Sequence, residues 1–188
     1  MSLVVAIDIP DAVLEALAKL GRELHPLCPE ARWVRIAGAH ITLKFIGEAT
    51  PERAEQIYAA LRLVRASAPI HLVFSGLGFF PNARRPRVLW AGISGNEPLR
   101  ELAASVQTQL EPLGIARETR EFSPHITLAR LDSPKELATL QSAVEKMGAP
   151  EFGRCSVREF RLYQSVLKRG GAEYTCLATY PISGVPTS

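Results

Sequence analysis

The tetrapeptide His-Ile-Thr-Leu occurs twice in this chain, at 40–43 and at 125–128, and similar signals follow each copy. After the first come Thr50-Pro51-Glu52, and after the second Ser133-Pro134. A hydroxyl residue followed by proline marks a helix start. The hydroxyl can accept from an orphan backbone N–H, and proline needs no donor at the first helical position. Each half then continues with a long β-rich stretch, a turn and a shorter strand. His40 stands 50 residues before Trp90, and His125 stands 50 residues before Thr175. The pattern predicts an internal duplication, with repeat motifs at 40–93 and 125–182 inside one bilobal domain spanning 1–188.

Apolar periodicity and turn residues supply the remaining elements. "LVVAID" reads as a strand, and Pro10-Asp11 opens an amphipathic helix to about His25. A short strand is expected near "RWVRI", followed by the first HITL strand at 40–46 and a helix from Thr50-Pro51 to about Arg65. The strands "IHLVFSGLGFF" and "RVLWAGI" are separated by the turn "PNARRP". A third helix is expected from Glu97 to Leu113, then the second HITL strand at 125–131 and a fourth helix from Ser133-Pro134 to about Met147. Two strands close the chain, "FGRCSVREFRLYQSVL" and "YTCLATYPI", around a Lys168–Gly171 loop. Consecutive strands joined by hairpin-length turns pair antiparallel. The expected fold is α+β and bilobal, with two duplicated lobes of antiparallel sheet, helices outside, and a pseudo-two-fold central cleft.

Composition narrows the class. The chain has 188 residues, 47% hydrophobic and 22% charged, which suits a full core and argues against disorder. A net charge of +3 permits a phosphate-bearing partner without demanding one. Asp8 interrupts the first apolar run and no basic segment precedes it, so no signal peptide is expected. No run is long enough to span a bilayer. The cysteines Cys28, Cys155 and Cys176 lack C-x-x-C spacing. They suit a reducing, cytoplasmic setting and offer neither a disulfide framework nor a zinc site.

Side chains alternate across a strand, so His40, Thr42 and Lys44 are expected on one face, with Ile41, Leu43 and Phe45 on the other. In the second copy His125 and Thr127 oppose Ile126 and Leu128. Two such strands, related by a pseudo-two-fold axis, bring two imidazoles and two hydroxyls to one cleft. That set suits phosphoryl transfer to water. A neutral histidine takes a proton from the attacking water, and a protonated one gives a proton to the departing oxygen. The threonine hydroxyls can donate to phosphate oxygens as negative charge develops. None of this requires a metal or other cofactor, and the motif has no carboxylate to hold one. A single H-x-T is weak evidence, because half-exposed histidines on sheets are commonplace. Two identical strings at matching architectural positions are far more specific.

The pair "HITLKFIGE" and "PHITLAR", with "VAIDIP", "FPNARRPRVLWAGI" and "LYQS" in the same order, resembles the 2H phosphoesterase superfamily. Within it the chain is most similar to the RNA 2′,3′-cyclic phosphodiesterase family, historically called 2′-5′ RNA ligases, over roughly 3–183. The resemblance implies metal-independent hydrolysis of a terminal RNA 2′,3′-cyclic phosphate to the 2′-phosphomonoester. It implies His40 as proton donor, His125 as proton acceptor, and Thr42 and Thr127 as phosphate donors. The symmetry of the pair leaves the two histidine roles interchangeable at the level of sequence. The chain departs from the family at Ser2-Leu3-Val4-Val5, where members often carry an arginine and an aromatic residue.

Further candidates for substrate binding are Arg130, Lys44, Arg84 and Arg85, with Lys168 and Arg169 in the corresponding loop of the second half. Strict alternation puts Arg130 on the face opposite His125, so a role there requires the strand to end or twist. His25 and His71 read as structural. Trp33, Trp90 and the Phe79-Phe80 pair read as core, with one of them available to stack on a base. RNA ends or small cyclic nucleotides are the expected partners of a monomer with no membrane association. Two other readings remain open. One keeps the site but changes the reaction, to other cyclic or 2′-5′-linked nucleotides or to reversible ligation. The other is a nucleotide- or RNA-binding module without turnover.

Overall fold

The first HITL string begins β3 (His40–Glu48) and the second begins β6 (His125–Arg130), and the rest of the chain arranges two sheets around them. The structure is a computed structural model that describes residues 1–67, 69–132 and 137–182. The other strands are β1 (Ser2–Asp8), β2 (Arg32–Trp33), β4 (Ile70–Phe80), β5 (Val88–Ser94), β7 (Glu151–Val157), β8 (Glu159–Lys168) and β9 (Gly171–Pro181). The helices are α1 (Asp11–Leu24), α2 (Pro51–Leu61), α3 (Asn96–Leu110) and α4 (Leu137–Met147). All pairing is antiparallel, in a four-stranded sheet ordered β3-β1-β8-β9 and a five-stranded sheet ordered β2-β6-β5-β4-β7. The α+β fold with two antiparallel sheets is the one expected.

Local chemistry accounts for the helix starts. Thr50 Oγ1 accepts from the backbone N–H of Arg53 at 3.2 Å, and Pro51 occupies the first helical position of α2. In α1 Pro10 stands at the N-cap, and its carbonyl accepts from Val13 and Leu14. α2 stops at Leu61, a turn short of the expected end, and α3 passes into a short 3-10 turn at Glu111–Leu113. The expected start of α4 at Ser133-Pro134 lies outside the described residues.

Sheet membership differs from the sequence repeat. The hairpin β4–β5, which follows the first HITL strand, joins the sheet of the second. The hairpin β8–β9, which follows the second, joins the sheet of the first. The stretch expected as one strand from 152 to 167 is therefore two, broken at Arg158, where the chain leaves the five-stranded sheet for the other. The chain changes sheets at Arg158, so β7 closes one edge of the five-stranded sheet while β8 pairs with β1 in the other.

The two lobes repeat at the level of pairing. In the first sheet Ala6 lies between Thr42 and Arg161, and Val4 between Phe45 and Tyr163. In the second Trp90 lies between Thr127 and Gly78, and Val88 between Arg130 and Phe80. β3-β1-β8 thus corresponds to β6-β5-β4. The inward faces, including Ile41, Leu43, Ile126 and Leu128, belong to one apolar core with Phe74, Phe160 and the buried sides of the helices. Its burial is the main stabilising term of the fold.

Candidate active site

Each HITL strand carries a bulge at the same place. In the pairing of β3 with β1 the register skips Leu43, so Thr42 faces Ala6 and Lys44 faces Val5. In the pairing of β6 with β5 it skips Leu128, so Thr127 faces Trp90 and Ala129 faces Leu89. An extra residue in one strand reverses the alternation beyond it. The residue three after each threonine therefore returns to the histidine face. In β3 that residue is Phe45, 58% exposed, and in β6 it is Arg130, also exposed.

Two expectations change as a result. Lys44 is not on the histidine face. Its side chain is only 5% exposed, and its ammonium donates to the Ala116 carbonyl and to Glu118 Oε1, each at 2.7 Å. It ties β3 to the segment after α3, and its ammonium is occupied there and not turned to a substrate. Arg130, which strict alternation turns away, stands on the same face as His125 and Thr127.

The two histidine strands come within 8 Å of each other, Cα to Cα, across the junction of the sheets. The histidines have different surroundings. His125 Nδ1 lies 2.8 Å from the Ser123 carbonyl. A carbonyl only accepts, so Nδ1 carries the hydrogen and Nε2 of the neutral ring keeps its lone pair. Phe80 and Trp90 pack edge-on to this ring, at centroid distances of 5.2 and 6.5 Å. Neither Phe80 nor Trp90 is a core residue as expected; both line the histidine face, whereas Phe79 and Trp33 do pack against the core.

The indole of Trp90 lies over Gly78, where a Cβ would come within 2.1 Å of the ring. Gly78→Ala is expected to push the indole aside and cost about 1–3 kcal/mol of stability, as overpacking does. A lower denaturation midpoint together with altered tryptophan emission is the measurement that checks this.

His40 is more enclosed, with 14% of its side chain exposed. Tyr163 and Tyr174 pack on its ring at 4.4 and 5.0 Å. Its Nε2 is 3.5 Å from Asp8 Oδ1, while its Nδ1 is buried and has no hydrogen-bond partner among the described residues. Burial holds the imidazole pKa below its ordinary range. The Asp8 carboxylate acts in the opposite direction, and the Arg161 guanidinium reinforces burial. Asp8 is itself anchored: Arg161 Nη1 lies 2.8 Å from Oδ2, and the Tyr163 hydroxyl donates to Oδ1. Burial and that bond to Asp8 push the Tyr163 phenol up to about 12.

Asp8, Arg161, Tyr163 and Tyr174 were not site candidates in the sequence. Asp8 read only as an interruption of an apolar run, and nothing local links it to a histidine 32 residues away. A cavity of about 310 Å³ adjoins Asp8 and Arg161, bounded by Ser156 and Arg158 at the β7–β8 break.

The other basic candidates lie further out. Arg84 and Arg85 are exposed in the β4–β5 turn, where both backbone N–H groups donate to Asn82 Oδ1 at 2.9 and 3.1 Å. Lys168 pairs with Glu173 at 2.6 Å at the tip of β8–β9. His71 Nδ1 bonds Ser156 Oγ at 3.0 Å, and the His25 ring lies 6.0 Å from Trp33. Among the described residues no group of three or more His, Cys, Asp or Glu side chains is gathered to hold a metal ion. None of the described helices is long and apolar enough to cross a membrane.

Residues 9–169 match the model of the 2′-5′ RNA ligase superfamily. The chain belongs to that superfamily. A relative from Aeropyrum pernix, named RNA 2′,3′-cyclic phosphodiesterase, is 39% identical over 139 residues, 73% of this chain and 78% of that protein. One of the same name from Archaeoglobus fulgidus is 34% identical over 180 residues, covering 96% and 99%. Among solved structures, TT0787 of Thermus thermophilus superposes with a TM-score of 0.77 at 30% identity, covering 98% and 99%. LigT of E. coli complexed with 3′-AMP gives 0.74 at 29%, covering 97% and 98%. Membership agrees with the duplicated H-x-T strands, which two sheets present in the same bulged form.

Proposed function

We propose that this protein hydrolyses the 2′,3′-cyclic phosphate at RNA ends to the 2′-phosphomonoester, with the two histidines as an acid–base pair. The observation that carries this reading is the matched register of β3 and β6, which puts a histidine and a threonine on one face of each of two strands that approach each other. The names of the relatives support the same reaction.

His125 is the base. Its Nδ1–H is engaged by Ser123, so Nε2 is free to take a proton from water. As that proton leaves, the water oxygen bonds to phosphorus and the bond from phosphorus to the 3′ oxygen breaks. His40, entering the step as the imidazolium, gives its Nε2 proton to that departing oxygen and is left neutral with its remaining hydrogen on Nδ1. Solvent then resets both rings. Thr42 and Thr127 donate to the non-bridging oxygens, whose charge grows in the transition state. Arg130 holds the phosphate from the His125 face, and Arg84 and Arg85 contact the RNA backbone. Phe80, Phe45 and Tyr174 offer ring faces to the terminal nucleoside.

The direct test is 31P NMR on a nucleoside 2′,3′-cyclic phosphate incubated with the protein. Conversion to the 2′-monoester supports the proposal; an unchanged cyclic resonance, or the 3′-monoester alone, rejects it. Because no step uses a metal, turnover is expected to survive EDTA unchanged. A rate abolished by EDTA and restored by a divalent cation contradicts the mechanism.

A further inference from the structure

We propose that Asp8 is the positioning residue that makes His40 the proton donor and breaks the symmetry of the two-histidine site. This rests on the acid–base reading above and adds what decides between its two otherwise equivalent members.

The two lobes pair residue for residue, so their differences can be read directly. Across from His40, β1 presents Asp8; across from His125, β5 presents Gly92. No larger residue fits at Gly92, because a Cβ there would come within 2.5 Å of the Ser75 carbonyl oxygen. One histidine therefore faces a carboxylate and its counterpart faces bare backbone. The acceptors reach different nitrogens. Ser123 takes the Nδ1 hydrogen of His125 and leaves Nε2 with a lone pair. Asp8 stands at Nε2 of His40, whose Nδ1 finds no partner among the described residues. The first arrangement prepares an acceptor at Nε2 and the second keeps a hydrogen there.

A carboxylate beside an anionic substrate raises the question of repulsion. Arg161 answers it, since its guanidinium neutralises Asp8 at 2.8 Å. The other terminal nitrogen of Arg161 is engaged by Glu159 at 2.7 Å, which fixes the guanidinium on Asp8. The Tyr163 hydroxyl also donates to Asp8 and sets the carboxylate's orientation. At 3.5 Å, Asp8 is too far from Nε2 for a strong hydrogen bond, so the hydrogen remains available to a departing oxygen. The groups set against His40 are Asp8 from β1, Arg161 and Tyr163 from β8, and Tyr174 from β9. Thr42 lies on its own strand, and His125 lies on the neighbouring strand β6. Asp8 is the anion among them that favours the imidazolium, and Arg161 is the cation that opposes it. After each turnover, when His40 has lost its proton, Asp8 favours its return to Nε2.

The test is a 1H–15N NMR titration of the imidazoles in the intact protein, with His125 as internal reference. Asp8→Asn keeps size and removes charge, and is expected to move the His40 titration down by about one pH unit or more. Arg161→Gln is expected to move it up. General loosening of the fold does not produce opposite signs. In both variants the His125 ring signals at a fixed pH are expected to match those of the wild type. The limb of the kcat/KM profile that coincides with the His40 titration should move with it, and Asp8→Glu should restore part of the shift. An Asp8→Asn protein in which His40 titrates as in the wild type overturns the proposal. If Asp8→Asn does not fold, an unmoved or lowered His40 titration in Arg161→Gln overturns it instead. The titration needs no substrate. A wild-type protein inert towards cyclic phosphates therefore rejects the acid–base reading, while a missing shift in an active protein rejects only the role of Asp8.

Discussion

His125→Ala is expected to lower kcat on a nucleoside 2′,3′-cyclic phosphate by about 10²–10⁴-fold, the usual contribution of a positioned acid or base. His40→Ala should fall in the same range, and the double variant should be little worse than either single one, because the two act as a unit. Both rings are only partly buried, and the apolar faces of their strands are supplied by Ile41, Leu43, Ile126 and Leu128. The circular dichroism of both variants should therefore match the wild type. A second substrate separates the roles. A diester with a 4-nitrophenyl leaving group needs no proton on departure, so His40→Ala should regain much of its rate there and His125→Ala should not. Wild-type turnover in either single variant is incompatible with the mechanism, and recovery in His125→Ala instead of His40→Ala reverses the assignment.

Thr42→Val and Thr127→Val, which replace a hydroxyl by a methyl of similar shape, are each expected to reduce kcat by about 10²-fold with little change in KM. Developing charge on the phosphate oxygens is met by these donors in the transition state and much less in the ground state. Serine at either position should restore most of the rate, since it keeps the donor. A variant that raises KM alone shows the threonine to be a binding contact only. Unchanged kinetics in both variants remove the threonines from the site.

Much of this was legible along the chain. His and Thr two residues apart in a strand share a face, and Ile and Leu between them face the core. The signals at Thr50-Pro51 located α2 within a residue of its observed start. The errors have a common cause. Strict alternation runs through Leu43 to Lys44 and through Leu128 to Arg130, but in both strands the count breaks at the leucine. A bulge belongs to a pair of strands, and neither strand alone announces it. Phe80 and Trp90 looked like core for a similar reason: composition distinguishes apolar from polar, but not which side of a sheet an aromatic ring occupies. The stretch 152–167 was continuous in period, yet the choice of sheet on either side of Arg158 depends on partners far away in the chain.

The sequence by itself determined the chemistry present: two imidazoles, two hydroxyls and the strands that pair them, because period-2 alternation is a local property of the backbone. Tertiary structure decided which further groups join them. It brought Phe45 and Arg130 to the histidine faces and turned Lys44 away to Glu118. It also crossed the hairpins between the sheets and set Asp8 against His40 but Gly92 against His125. Those outcomes depend on strand register, and register is fixed by long-range packing of one buried face against another. The repeat made the two halves look interchangeable; the residue across from each histidine made them different.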